Sequence, residues 1–172
     1  MHQRLKTTTV YVTHDQIEAM TLARRVAILE RGVLQQLATP AEIYNNPANL
    51  FVAQFIGSPR MNVVQGALEG KNFLNNGAKI ATPVSGRIAK AVLGVRPEDC
   101  SVVAPEKGGI KGEIYATELI GDHTLVTLKA GSDLLTVKAA KDFTARLGEK
   151  AGVAFSSDRL FVFDESNGLR VR

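Results

Sequence analysis

The chain has 172 residues, 45% of them hydrophobic and 22% charged, with a formal net charge of +4 and a single cysteine. That is enough apolar surface for one domain or two small ones, and it excludes a disordered chain, a collagen, a coiled coil and a disulfide scaffold. The basic excess is spread evenly, six basic against four acidic residues up to position 60 and fifteen against thirteen beyond it, so it reads as a mixed solvated surface and not as a nucleic-acid-binding arm.

The opening Met1-His2-Gln3-Arg4-Leu5-Lys6 has no apolar stretch behind its basic residues, so it is not expected to act as a secretory signal, and His2 reads as solvated. No apolar run approaches the ~18 residues of a membrane span. Thr8–Thr13 is β-branched and aromatic and predicts a buried strand. Asp15 is placed to cap a helix over about 15–24. Residues 25–30 and 33–37, joined by Arg31-Gly32, predict a hairpin. Thr39-Pro40-Ala41-Glu42 predicts a capping box with proline in the first turn, and Asn45-Asn46-Pro47 stops that helix. A second helix follows over 48–56. Gly57 stands at its C-terminal end, and Gly57-Ser58-Pro59 divides 1–60 from 61–172.

Beyond that boundary the sequence breaks into short strand-like runs: 61–68, 91–95, 101–104, 110–120, 124–129, 134–137, 152–155 and 160–163. Gly70, Asn75-Asn76-Gly77, Pro97, Gly108-Gly109, Gly121-Asp122, Gly131 and Gly148 punctuate them. Strands at this spacing predict a small barrel or sandwich.

The chemistry-bearing residues are sparse. His14 ends the first predicted strand, where α/β folds gather ligands and where an imidazole can donate to a phosphate. Cys100 has no partner for an internal disulfide, and no zinc spacing exists. A phosphate cradle would need Gly-x-x-x-x-Gly-Lys-[Ser/Thr]; the nearest string, Gly66 to Asn72, has the wrong spacing and no hydroxyl, and is rejected. Arg96, Glu98 and Asp99 flank Pro97 and read first as a turn, second as a contact or ligand loop. His123 reads as a solvent-exposed hairpin residue. Arg159 with Phe161 and Phe163 fits either a base-stacking platform or a core strand, and the 6% aromatic content disfavours nucleic acid.

Taken as a whole, Val12-Thr13-His14-Asp15-Gln16-x-Glu18-Ala19-Met20, Thr39-Pro40-x-Glu42-x-Tyr44-x-x-Pro47 and Phe51-Val52-Ala53-x-Phe55-Ile56-Gly57-Ser58-Pro59 resemble the ATP-binding-cassette ATPases, in the subfamily that energises carbohydrate uptake. Gly94-Val95-Arg96-Pro97-Glu98-Asp99, Glu118-Leu119-Ile120-Gly121-Asp122 and Asp158-Arg159-Leu160 resemble its appended regulatory barrel. Arg24 departs from the aspartate common at that position. The resemblance implies a mixed α/β N-terminal remnant of a nucleotide-binding domain over 1–60, then a mainly β OB-like (oligonucleotide/oligosaccharide-binding-like) barrel over 61–172. It makes His14 the switch histidine that contacts the ATP γ-phosphate. Arg96, Pro97, Glu98, Asp99, Glu118, Gly121 and Arg159 become the regulatory-domain motif.

For the complete family member it implies ATP and Mg²⁺ as cofactors, a homodimer, membrane permease subunits as partners and a regulatory protein on the barrel. It places that member on the cytoplasmic face of the plasma membrane. The P-loop, signature and Mg²⁺-holding motifs of the family are not among these residues, so the chain is expected to be the C-terminal portion of a longer ATPase and inactive alone. Residues 1–38 are then expected to be poorly packed, swapped or paired with another copy, with Val10, Val12 and Ile28 not all buried in one closed core. The competing reading is a stand-alone OB-like module for a small oxyanion, a sugar or single-stranded nucleic acid.

Overall fold

The computed structural model describes residues 8–172; His2 and the rest of the opening segment lie outside the described residues. The chain runs α1 (Gln16–Leu22), β1 (Val26–Glu30), β2 (Val33–Ala38), α2 (Pro40–Asn45) and α3 (Leu50–Phe55), followed by eight strands. These are β3 (Asn62–Asn75), β4 (Ala78–Val95), β5 (Cys100–Val103), β6 (Ile110–Ile120), β7 (His123–Ala130), β8 (Asp133–Ala140), β9 (Lys150–Phe155) and β10 (Phe161–Asp164).

The N-terminal helices form where local caps dictate. The Asp15 side chain accepts from the backbone of Ile17 and Glu18 at the start of α1. Thr39 and Glu42 close the predicted capping box at α2, and Asn49 caps α3 through Val52 N–H. β1 and β2 pair across Arg31-Gly32, both at positive φ, as a tight two-residue turn requires. Ile28, Ile43, Val52 and Ile56 make a small buried cluster between hairpin and helices.

The expected strand at 8–13 has no counterpart: the segment is not in a strand, and Val10 and Val12 are each 88% exposed. β-branched sequence favours extension but supplies no neighbouring ladder. Ile28 is buried, so of the three residues named for the unpaired region only two are left in solvent.

β3 and β4 are far longer than the sequence suggests. Bulges at Gly66/Leu68 and Gly70/Asn72 absorb the residues that interrupt the apolar pattern, so the hairpin runs on to Asn76-Gly77, again both at positive φ. The hairpin curls back onto its own base. Asn75 Nδ2 donates to the Gln65 carbonyl at 2.7 Å, and a Cβ on Gly66 would sit 2.2 Å from the Leu74 carbonyl oxygen. Only glycine permits that return.

β10, β4 and β3 form one antiparallel sheet, and β5-β9-β6-β7-β8 a second. One core joins them, with Leu68, Phe73, Leu93, Ile114, Val126, Leu128, Leu135 and Val153 all buried. The edges of the second sheet, β5 and β8, approach within 8 Å between Cα atoms. In that gap lies the buried carboxamide of Asn62. Its Nδ2 donates to Thr136 O and its Oδ1 accepts from Thr136 N–H, both at 2.7 Å, and Nδ2 lies 3.7 Å from Cys100 Sγ. A side chain thus satisfies the β8 backbone where another strand would otherwise pair, and the sheet closes into a barrel.

Asn62→Ala leaves the Thr136 N–H and C=O without partners in a buried seam, a loss of about 2–4 kcal/mol. Asn62→Asp costs more at neutral pH, because it keeps the acceptor but sets a carboxylate against Thr136 O, and part of that loss returns when acid protonates it. Urea unfolding of both variants checks the order; an alanine variant as stable as wild type removes the seam from the account.

Candidate functional site

His14 sits in the bend immediately before α1. Thr13 and Glu18 build that bend: Thr13 Oγ1 donates to Glu18 Oε2 at 2.8 Å and accepts from Asp15 N–H at 2.9 Å. The backbone on both sides is therefore tied down. The imidazole is exposed, and no side-chain hydrogen bond engages it among the described residues. α1 buries none of its own residues.

Arg96 lies at the opposite extreme. It leaves the end of β4 and points inward, 2% exposed, the bulkiest fully buried side chain of the fold. A helix leaves its last carbonyls unpaired, and a cation is favoured at that end. Arg96 uses both facts twice. Nη1 donates to Ala53 O at 3.1 Å and to Ile56 O, at the end of α3, while Nη2 donates to Tyr44 O at 3.0 Å, in the last turn of α2. The guanidinium stacks 4.1 Å from the Tyr44 ring centroid. Nε is buried without a partner. Burial draws the guanidinium below its ordinary value, and Tyr44, Glu98 and Asp99 act against that.

Pro97, Glu98 and Asp99 form a single 3₁₀ turn, as the turn reading expects, with Pro97 buried. Glu98 is exposed and accepts from the Tyr44 hydroxyl. Burial and then this bond push Tyr44 up to about 12. Asp99 is raised chiefly by burial, opposed by Arg159, whose Nε lies 4.0 Å from Asp99 Oδ1 and 3.7 Å from Asp158. The structure thus brings Arg96, Pro97, Glu98, Asp99 and Arg159 together. Glu118 stands exposed on β6 and Gly121 in the β6–β7 turn at φ +69°, with no hydrogen bond to that group among the described residues. Phe163 is fully buried and Phe161 carries Arg170 over its ring at 4.7 Å, which gives these aromatics to packing and not to a base-stacking platform. His123 is not the exposed hairpin residue expected: its side chain is mostly buried, and Nδ1 is 2.6 Å from Asp122 Oδ1. Cys100 is buried, and burial pushes its thiol up to about 12, which makes it inert.

Three contacts were not deduced from the sequence. Gln16 reaches the α3 end, its Nε2 donating to Phe55 O at 2.6 Å and its Oε1 accepting from Gly57 N–H at 3.1 Å. Tyr44 supplies both a carbonyl and a ring to Arg96. Gly57, at φ +118°, lets Arg96 approach: a Cβ there would meet Nη1 at 2.9 Å and Pro59 O at 3.2 Å. The sequence signal for Gly57 was its place after the helix; for Gln16 and Tyr44 it was only membership of a motif.

An open depression of about 410 Å³ is lined by Lys111, Glu113, Lys129 and Lys150 and contains none of the sequence-predicted residues. Among the described residues no group of three His, Cys, Asp or Glu is placed to hold a metal ion.

Residues 93–163, from the end of β4 through β10, match the TOBE domain family. Across 99% of its length the chain is 40% identical to the sn-glycerol-3-phosphate import ATP-binding protein UgpC of Escherichia coli O157:H7. The chain is similar to ABC importer ATP-binding proteins. It is 39% identical to UgpC of Escherichia coli K12 over the same share, and 36% identical over all of its length to an uncharacterised ABC transporter ATP-binding protein, YcjV, of Escherichia coli O157:H7. The chain spans about half the length of these relatives, 50% in each case. Among solved structures, the cytoplasmic molybdate-binding protein ModG superposes with a TM-score of 0.50 at 14% identity, covering 59% of this chain and 94% of that one. That likeness establishes an OB-like, TOBE-type barrel fold and nothing about ligands.

Arg96→Met leaves three carbonyls without a donor, those of Ala53 and Ile56 in buried surroundings, and lowers stability by about 3–5 kcal/mol. Gly57→Ala meets both a disfavoured φ and the guanidinium, and costs about 2–3 kcal/mol. Thermal and urea unfolding measure both; an Arg96→Met protein with wild-type stability would contradict the clamp.

Proposed function

We propose that this chain supplies the phosphate-sensing histidine and the regulatory barrel of the ATP-binding subunit of an ABC importer for a sugar- or glycerol-phosphate-type solute. Residues 1–60 are the C-terminal part of its nucleotide-binding domain, and 61–172 are its regulatory domain. What supports the reading is the similarity to UgpC across 99% of the chain, with His14 held in a rigid bend and its imidazole turned to solvent. The exposed apolar side chains of Val10, Val12, Leu29, Val33 and Leu34 fit a face that takes the other half of such a subunit.

His14 suits a γ-phosphate: an imidazole N–H there donates to a group that leaves on hydrolysis, so the contact reports nucleotide state. The rest of an ATP–Mg²⁺ site does not fit the residues present, which offer neither a glycine-rich cradle nor a metal-holding carboxylate cluster among those described. Arg96 and Tyr44 are structural in this reading, and Glu98, Asp99, Glu118, Gly121 and Arg159 offer surface for a regulatory protein or a second copy. The subunit works as a homodimer on membrane permease subunits, at the cytoplasmic face. No helix is long and apolar enough to cross a membrane among the described residues.

The test co-expresses this chain with the complementary N-terminal half of a UgpC-type protein and measures ATP turnover. A stable complex that hydrolyses ATP, with turnover reduced at least about 100-fold by His14→Ala and assembly unaffected, is the expected result. Failure of the halves to associate, or turnover indifferent to His14, overturns the proposal.

A further inference from the structure

α1 carries the His14 bend at its N-terminus, yet contributes no buried residue of its own. Apolar packing therefore does little to hold it; only Met20 touches the small cluster beneath. Its anchor is polar. Gln16, the first residue of the helix, spans some forty residues of sequence to grip Phe55 O through Nε2 and Gly57 N–H through Oε1. Those two groups flank Ile56, and the Ile56 carbonyl is held from the other side by Arg96. The Arg96 backbone continues directly from β4, whose residues from Ala91 to Val95 are all buried. The segment 55–57 is thus clamped between a helix-borne carboxamide and a barrel-borne guanidinium. Every link from His14 to the barrel is a short directional bond or a covalent one.

We propose that Gln16 is a positioning residue that fixes the His14 bend to the Arg96 junction, so that a displacement of β4 relative to α2 and α3 is passed to His14 although Arg96 does not touch it. Gln16 suits the task because a carboxamide donates and accepts at once. It can hold a carbonyl and an N–H two residues apart, which fixes orientation as well as distance. Arg96 suits its own because a planar fork holds several carbonyls in one geometry, which a lysine does not. The use of this coupling in nucleotide sensing rests on the reading of His14 given above; the coupling itself belongs to this chain and is measured without nucleotide.

The experiment labels the 172-residue chain and follows two signals by NMR: the imidazole resonance of His14, and hydrogen exchange of the Ala19 amide, which donates to Asp15 O at 3.1 Å within α1. Gln16→Ala is expected to speed Ala19 exchange about tenfold and shift the His14 resonance, with barrel-core resonances such as Val126 and Leu135 unmoved. Arg96→Lys is expected to shift His14 in the wild-type background and to add nothing in the Gln16→Ala background. That non-additivity distinguishes a positioning role from two independent losses of stability.

Should Arg96→Lys fail to fold, Glu98→Gln, which loosens the Tyr44 wall of the Arg96 seat from outside, takes its place in the same cycle. Equal His14 shifts in both backgrounds, or unchanged Ala19 exchange in Gln16→Ala, overturns the proposal. A reconstituted enzyme indifferent to His14 would sink the nucleotide-sensing reading and leave these shifts as they are, so the two failures are told apart.

Discussion

A guanidinium cannot leave water unless something else meets its N–H groups, and that demand organises the junction between the helical segment and the barrel. Arg96 is buried, and its acceptors are the carbonyls that two short helices leave unpaired at their ends. The dependence runs both ways. α2 and α3 are each six residues long, too short to be stable in isolation, and their terminal carbonyls find a donor in Arg96. A side chain on Gly57 would run into the guanidinium, and Tyr44 both accepts from Arg96 through its carbonyl and covers the charge with its ring.

Much of this architecture was legible from local chemistry. The Thr39–Glu42 capping box, the Asp15 cap, the Arg31-Gly32 turn and the strands from β5 to β10 follow from residue types within a few positions of each other, and there the reading and the fold agree to within a residue or three. Two features depended on distant partners and so lay beyond local pattern. Residues 8–13 have strand composition but no ladder to join. β3 and β4 carry glycines and a proline that look like ends of strands; only the bulges, and the return of the hairpin onto its own base, make them interior.

The site was legible in part. His14 stands out in the sequence because its motif is distinctive, and the structure leaves it exposed in the bend before α1. Arg96 was noticed as part of a turn flanked by charge, and nothing in Val95-Arg96-Pro97 indicates that the side chain goes inward rather than out. Burial of an arginine is decided by what is opposite, here the ends of helices forty to fifty residues earlier. For the same reason Gln16 and Tyr44 remained names within a motif: the partners that give them work are contributed by separate elements. Polar residues that bridge elements are the hardest to read in sequence, because each looks at home on a surface.

The Asn62 seam carries a mechanical meaning. A continuous antiparallel ladder resists separation, sliding and twisting together, since each pair of strands is joined at many points. A single carboxamide meeting one residue of β8 is a rivet: it sets the distance between β3 and β8 and leaves their relative rotation to the packing of the core. The stiffness of the closed barrel against torsion is therefore supplied by Leu128, Leu135, Val137 and their neighbours, and the Asn62 carboxamide adds the one directional tie from β3 to the β8 backbone.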